Sequence, residues 1–68
     1  MKEFELKEDY IELIRLLKLM GIAESGSRAK MMVEENIVLR NGKIETRKRA
    51  KLRKGDIISI DDWSVYIK

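Results

Sequence analysis

Ser25-Gly-Ser-Arg-Ala-Lys-Met-Met-Val-Glu-Glu-Asn-Ile-Val-Leu-Arg-Asn-Gly42 reads as a short helix with a basic front that runs straight into a hairpin. Ser25 is suited to the N-cap because its hydroxyl can accept a hydrogen bond from a backbone N–H one turn on. Ala29, Met32, Val33 and Ile37 follow at helical spacing and make one buried stripe. Arg28 and Lys30 fall off that stripe in the first turns, and Glu34 and Glu35 close the last turn, opposite to what the helix dipole favours. Asn36 can take the left-handed conformation that ends a helix. Ile37-Val38-Leu39 is a β-type run, and Asn41-Gly42 is the dipeptide most able to form a type I′ hairpin turn.

Upstream, Phe4 and Leu6 alternate with charged residues and suggest a short opening strand. From Asp9 or Glu12 to Met20, the positions Tyr10, Leu13, Ile14, Leu16, Leu17 and Met20 fit the apolar side of a first helix, and Gly21 suits its end. Ile22-Ala23-Glu24 leaves room only for a tight connection, so the two helices pack as a helix-turn-helix-like pair. Downstream, Lys43-Ile44-Glu45 can pair back onto Ile37 to Leu39, and Thr46 to Leu52 reads as a basic loop with little apolar content. Arg53-Lys54-Gly55-Asp56 reads as a turn, and Ile57 to Ile60 as a buried strand. Asp61-Asp62 break the chain before a last alternating strand of Trp63, Val65 and Ile67. The fold class expected is α+β in a single domain over residues 1–68, two packed helices followed by a small antiparallel sheet of about four to five short strands.

Composition narrows the chemistry. A chain of 68 residues has one small core, burying about 60% of the surface of its unfolded chain. With neither cysteine nor histidine, disulfides, thiolate metal sites, histidine bases and Ser-His triads are excluded, and no activated nucleophile or tuned acid–base pair is in view. The acidic pairs Glu8-Asp9, Glu34-Glu35 and Asp61-Asp62 lack the surrounding ligand loop of a cation site, so no metal and no cofactor is expected. No apolar run approaches the ~20 residues of a membrane span and the N-terminus lacks a signal-peptide core, so the expectation is a soluble cytoplasmic protein. Phe4, Tyr10, Trp63 and Tyr66 could stack on bases, but in so small a domain they are assigned to the core.

The net charge of +3 hides an asymmetry, since residues 37 to 56 hold eight cations against two anions while residues 1 to 24 hold four against six. Such concentration points to a face that binds a polyanion in one orientation.

Taken together, Ser25-x-Ser-Arg-Ala-Lys, Met32-Val-Glu-Glu-Asn-Ile-Val38, Val38-Leu-Arg-Asn-Gly-Lys43 and Lys54-Gly-Asp-Ile-Ile-Ser-Ile60 resemble, in order and spacing, the RNA-binding domain named after ribosomal protein S-four. The resemblance spans about residues 10 to 60; Asn36 stands where that family usually has glycine, and residues 61–68 lie beyond it. It implies the αL RNA-binding fold, in which two helices and the following turns form one RNA-facing surface; a non-catalytic, monomeric protein is expected. The partner it implies is structured RNA, ribosomal or tRNA-like, with the ribosome a further candidate and no small-molecule substrate. The contact set is Ser27, Arg28 and Lys30 at the helix start, Arg40, Asn41 and Lys43 at the hairpin, and Arg47, Lys48, Arg49 and Lys51 in the loop. Turn geometry alone accounts for Asn41, although the turn sets where Arg40 and Lys43 point. Two other classes remain open: a protein-interaction adaptor docking an acidic partner through the basic loop, and DNA binding through the helix pair. For DNA, Arg28 and Lys30 followed by Glu34 and Glu35 make a weak base-reading set.

Overall fold

The Oγ of Ser25 accepts a 3.1 Å hydrogen bond from the Arg28 N–H and opens helix α2 (Gly26–Glu34), as its cap position predicts. A computed structural model describes residues 1–68. The other elements are β1 (Lys2–Phe4), β2 (Ile11–Glu12), α1 (Leu13–Leu19), β3 (Leu39–Arg40), β4 (Lys43–Ile44), β5 (Lys51–Leu52), β6 (Ile57–Ile60) and β7 (Trp63–Ile67). Ala29, Met32 and Val33 form the buried stripe of α2, while Asn36, at φ 61°, turns the chain out of the helix without the glycine such a position favours. Gly21, at φ 76°, ends α1, and the N–H groups of Ile22 and Ala23 both donate to the Leu17 carbonyl at 3.1 Å, closing the tight link between the helices.

The first helix is shorter than the spacing of its apolar residues predicts. Tyr10 lies outside it, and Ile11–Glu12 pairs with Lys51–Leu52 as a two-stranded antiparallel ribbon. Ile11 and Leu13 are buried while Tyr10 is exposed, so the chain keeps a two-residue period up to the helix start. The Leu13 N–H donates to the Ala50 carbonyl at 2.9 Å, anchoring that start to the far side of the basic loop. That loop is also less polar in effect than its composition suggests, because Ala50 and Leu52 are both core residues.

Asn41 (φ 53°) and Gly42 (φ 86°) both adopt the left-handed conformation of a type I′ turn. A two-residue turn there pairs Arg40 with Lys43 and Leu39 with Ile44, and the Glu45 N–H reaches the Val38 carbonyl at 2.9 Å. The pairing is therefore one residue later on the first strand than Ile37 to Leu39. The main sheet has the order β1-β7-β6-β3-β4. It is mixed and not wholly antiparallel: β1 lies parallel to β7, with Phe4 opposite Ile67. A parallel pair needs a long crossover, and here almost the whole chain supplies it. Residues 61–68 complete the sheet by putting β7 in its interior, with Val65 and Ile67 fully buried.

Both helices pack over one face of this sheet in a single cluster of 16 buried residues that contains Leu16, Leu17, Ala29, Val33, Val38 and Ile58. No helix is long and apolar enough to cross a membrane. Val33 is 1% exposed, so Val33→Asp places an unpaired charge in the only core. Burying it costs several kcal/mol, comparable to the whole stability of a domain this size. Circular dichroism should show Val33→Asp unfolded at room temperature; a cooperative melt near that of the native chain would show that the α2 face is misassigned.

Candidate nucleic-acid interface

Helix α2 sets the first cations. Ala29, Met32 and Val33 face the core, which leaves Ser27, Arg28 and Lys30 exposed. Arg28 and Lys30, two residues apart, project about 160° from one another around the axis, so they belong to opposite flanks of the helix. Lys30 shares its flank with Glu34, one turn on. Glu34 does not stand free: it accepts an ion pair from Lys48 Nζ at 2.6 Å. Of the two acidic residues that oppose the helix dipole, Glu34 thus has a tertiary partner, which places the basic loop beside α2.

The loop's other cations are likewise engaged. Arg49 Nε lies 3.3 Å from the Glu12 carboxylate at the start of α1. Arg47 grips Glu45 with Nε at 3.1 Å and Nη2 at 3.3 Å, and its backbone N–H also donates to that carboxylate at 3.1 Å. Three successive basic residues are therefore each paired with a different carboxylate, Glu45 just after β4, Glu34 in α2 and Glu12 in β2. Lys48 and Arg49 pair on the surface, where an ion pair is worth about 0–1 kcal/mol and opens readily to a competing anion.

Arg40 is different. It is half-buried, donating to Glu45 Oε1 at 3.4 Å, to Asp56 Oδ2 at 2.9 Å and to the Lys51 carbonyl at 2.9 Å. Asp56 also accepts from the Arg53 N–H at 2.8 Å and from Asn41 Nδ2 at 3.0 Å, while Asn41 Oδ1 accepts from the Ile57 N–H at 2.8 Å. Arg40 and Asn41, both in the contact set read from sequence, are thus committed to the chain's own framework. A single turn residue, Asn41, supplies both the left-handed backbone and the tie to the turn before β6.

Glu45 is 7% exposed. Hydrogen bonding to the Arg47 guanidinium holds its carboxyl below the usual range against the opposing effect of burial, helped by the Arg47 N–H and by Arg40. Burial pushes the Asp56 carboxyl up, but the Arg53 N–H, Asn41 and Arg40 together outweigh it and the net direction is down.

Of the ten residues in the contact set, Arg28, Lys30 and Lys43 are exposed cations with no ion-pair partner in the chain. Lys51 instead places its Nζ 5.0 Å from the centre of the Tyr10 ring. Sequence reading left out Arg53 and Lys54, which line a shallow polar depression with Lys7, Glu8 and Asp9. Both belong to the eight cations of residues 37 to 56, and their place in a turn hides them from a reading by element. No group of acidic side chains in the molecule is arranged to hold a metal ion.

The model of the S4 domain family matches residues 4–68, which brings the final strand inside the domain. The Escherichia coli K12 protein YbcJ is 43% identical over 61 residues, covering 90% of this chain and 87% of its own. The uncharacterized protein YbcJ of Shigella flexneri matches with the same identity and coverage. The solution structure of E. coli YbcJ, described as revealing an αL motif involved in RNA-binding, superimposes with a TM-score of 0.75, covering 98% of this chain and 86% of that one.

The buried carboxylates give the fold an acid limit. Ordinary values are 4.5 for Glu45 and 3.8 for Asp56, and both are lowered on folding. Their stabilisation is therefore fully present above the unfolded values and is lost as pH falls through the lower folded ones. Urea midpoints should hold from neutral pH to about pH 5 and drop progressively below about pH 4. The Glu45→Gln/Asp56→Asn double variant should start lower and lose less in acid; an acid slope equal to that of the native chain would place the titrating groups elsewhere. Arg40→Ala should cost about 2–4 kcal/mol at neutral pH, because it strips a partner from two carboxylates that are largely out of water.

Proposed function

This chain belongs to the S4 domain family, and from that premise we propose that it is a non-catalytic RNA-binding module whose target is structured RNA, ribosomal or tRNA-like. The observation that supports this reading best is the position of the basic loop beside the cation-bearing helix α2, where Lys48 Nζ lies 2.6 Å from the Glu34 carboxylate and the buried Ala50 and Leu52 anchor the loop to the core. Lys30 with the hairpin's Lys43 and the loop's Lys48 and Arg49 then offer phosphate contacts on adjoining elements, and Arg28 offers one on the other flank of α2. The solution structure described for E. coli YbcJ, with an αL motif involved in RNA-binding, points the same way.

Structured RNA suits such a site because junctions and shallow minor grooves bring several phosphates close together at fixed spacing. Cations already held by Glu34 and Glu12 are pre-positioned, and a phosphate replaces a carboxylate at small cost. Arg28 can engage a phosphate at two points near the start of α2, where unpaired N–H groups already attract anions.

Two measurements test the reading. With about four to six phosphate contacts, log affinity for a structured RNA should fall against log salt with a slope of roughly −3 to −5. Because Arg47 holds the buried Glu45, the loop is best tested by Lys48→Ala/Arg49→Ala, which should flatten that slope by about one to two and weaken diverse RNAs alike. An unchanged slope would remove the loop from the interface.

Arg28→Ala should cost about 1–3 kcal/mol on a preferred structured RNA and less on an unstructured strand. Equal losses on both would reduce Arg28 to a general attractor.

A further inference from the structure

The β2–β5 ribbon has two unlike faces. Ile11 and Leu52, opposite each other in register, are buried against the core. By strand alternation Tyr10, Glu12, Lys51 and Arg53 belong to the outward face, and continuing the register by one residue sets Tyr10 across from Arg53. The contacts agree: Lys51 Nζ lies 5.0 Å and Arg53 Cζ 5.8 Å from the centre of the Tyr10 ring. Arg53 Nη1 donates to the Asp9 carbonyl at 3.4 Å, which helps hold the guanidinium over the ring. Tyr10 is 38% exposed and contributes nothing to the core cluster.

An exposed aromatic ring flanked by cations on the outward face of strands is the arrangement on which single-stranded bases stack while their phosphates are neutralised. Next to it lies the depression lined by Lys7, Glu8, Asp9, Arg53 and Lys54, with Arg53 common to both. Glu8 and Asp9 make this depression mixed in sign, which disfavours a bare phosphate and suits a nucleotide that brings one phosphate and a polar base edge. Glu12, on the same outward face, is occupied by Arg49 at 3.3 Å.

We propose that the outward face of this ribbon is a nucleotide site for an unpaired residue of the bound RNA. The base stacks on Tyr10 in place of the flexible Lys51 ammonium that lies over the ring in the free protein, and Lys51, once displaced, holds its phosphate with Lys54 and Lys7. The inference rests on the RNA-binding reading above and extends it from phosphate recognition to a junction between paired and unpaired RNA.

The test compares a blunt RNA stem-loop with the same stem-loop carrying a single-stranded extension of about four nucleotides at either end, by fluorescence anisotropy at one salt concentration. One of the extensions should tighten binding to the native chain by about 5- to 100-fold. Tyr10→Leu should lose that gain while binding the blunt stem-loop as the native chain does, and Tyr10→Phe, which keeps the ring, should retain it. In the native chain the Tyr10 ring protons should shift upfield on adding the extended RNA and stay in place with the blunt one. Retention of the gain by Tyr10→Leu, equal weakening on both RNAs, or no gain from either extension overturns the site while leaving RNA binding intact. Failure of the native chain to bind any of these RNAs overturns the RNA-binding reading itself.

Discussion

The guanidinium of Arg40 is the joint on which the β half of the molecule depends. It reaches two carboxylates and a carbonyl that lie 5, 16 and 11 residues further along the chain. Those partners belong to the end of the β3–β4 hairpin, the turn before β6 and strand β5, so one side chain fixes three connections at once. The group is planar and always charged, and it presents donors in a fixed fork, so it can satisfy several acceptors where a lysine would satisfy one. Without it the largely buried Glu45 would keep only Arg47, and the Arg53–Asp56 turn would keep only Asn41 and its own backbone.

This use of Arg40 separates two kinds of cation that look alike in a list of basic residues. Those within the framework, the half-buried Arg40 and the more exposed Arg47, hold carboxylates that titrate low, and displacing them would leave a buried charge unpaired. Those on the rim, Lys48 and Arg49, are paired to Glu34 and Glu12 near the surface, where Coulomb attraction is screened. Rim pairs of this sort orient the cations of a loop that Ala50 and Leu52 anchor to the core, and they yield to a phosphate at little cost. Rigidity and availability are thus assigned to different residues of the same short segment.

The β2–β5 ribbon links the core to the proposed RNA surface in a similar way. Its inner side chains, Ile11 and Leu52, tie one end of the basic loop and the start of α1 to the core, and its outer face carries Tyr10, with Lys51 and Arg53 over its ring, beside Glu12. A change in the packing of Leu52 would therefore reach its chain neighbours Lys51 and Arg53 directly.

Much of the fold is legible in the chain because it rests on local chemistry. Ser25 caps α2, Asn36 and Gly21 end helices in left-handed conformations, Asn41-Gly42 makes the type I′ turn, and the stripe of Ala29, Met32 and Val33 faces the core. Each follows from the conformational preferences of a few adjacent residues. The order of several such motifs identified the family, and the charge count located the basic segment. What only tertiary structure decided involves partners distant in sequence. Tyr10 fits a helical stripe, yet pairing of Ile11 with Leu52 draws it into a ribbon and leaves it outside; β1 joins the sheet in parallel through a partner more than sixty residues away. Arg40 and Asn41 look like free contacts until Asp56 closes on both, and Glu34 looks misplaced until Lys48 reaches it. Local propensity is written in neighbouring residues, whereas the partner that a charge or a short strand finds is set by how the whole chain closes around its core.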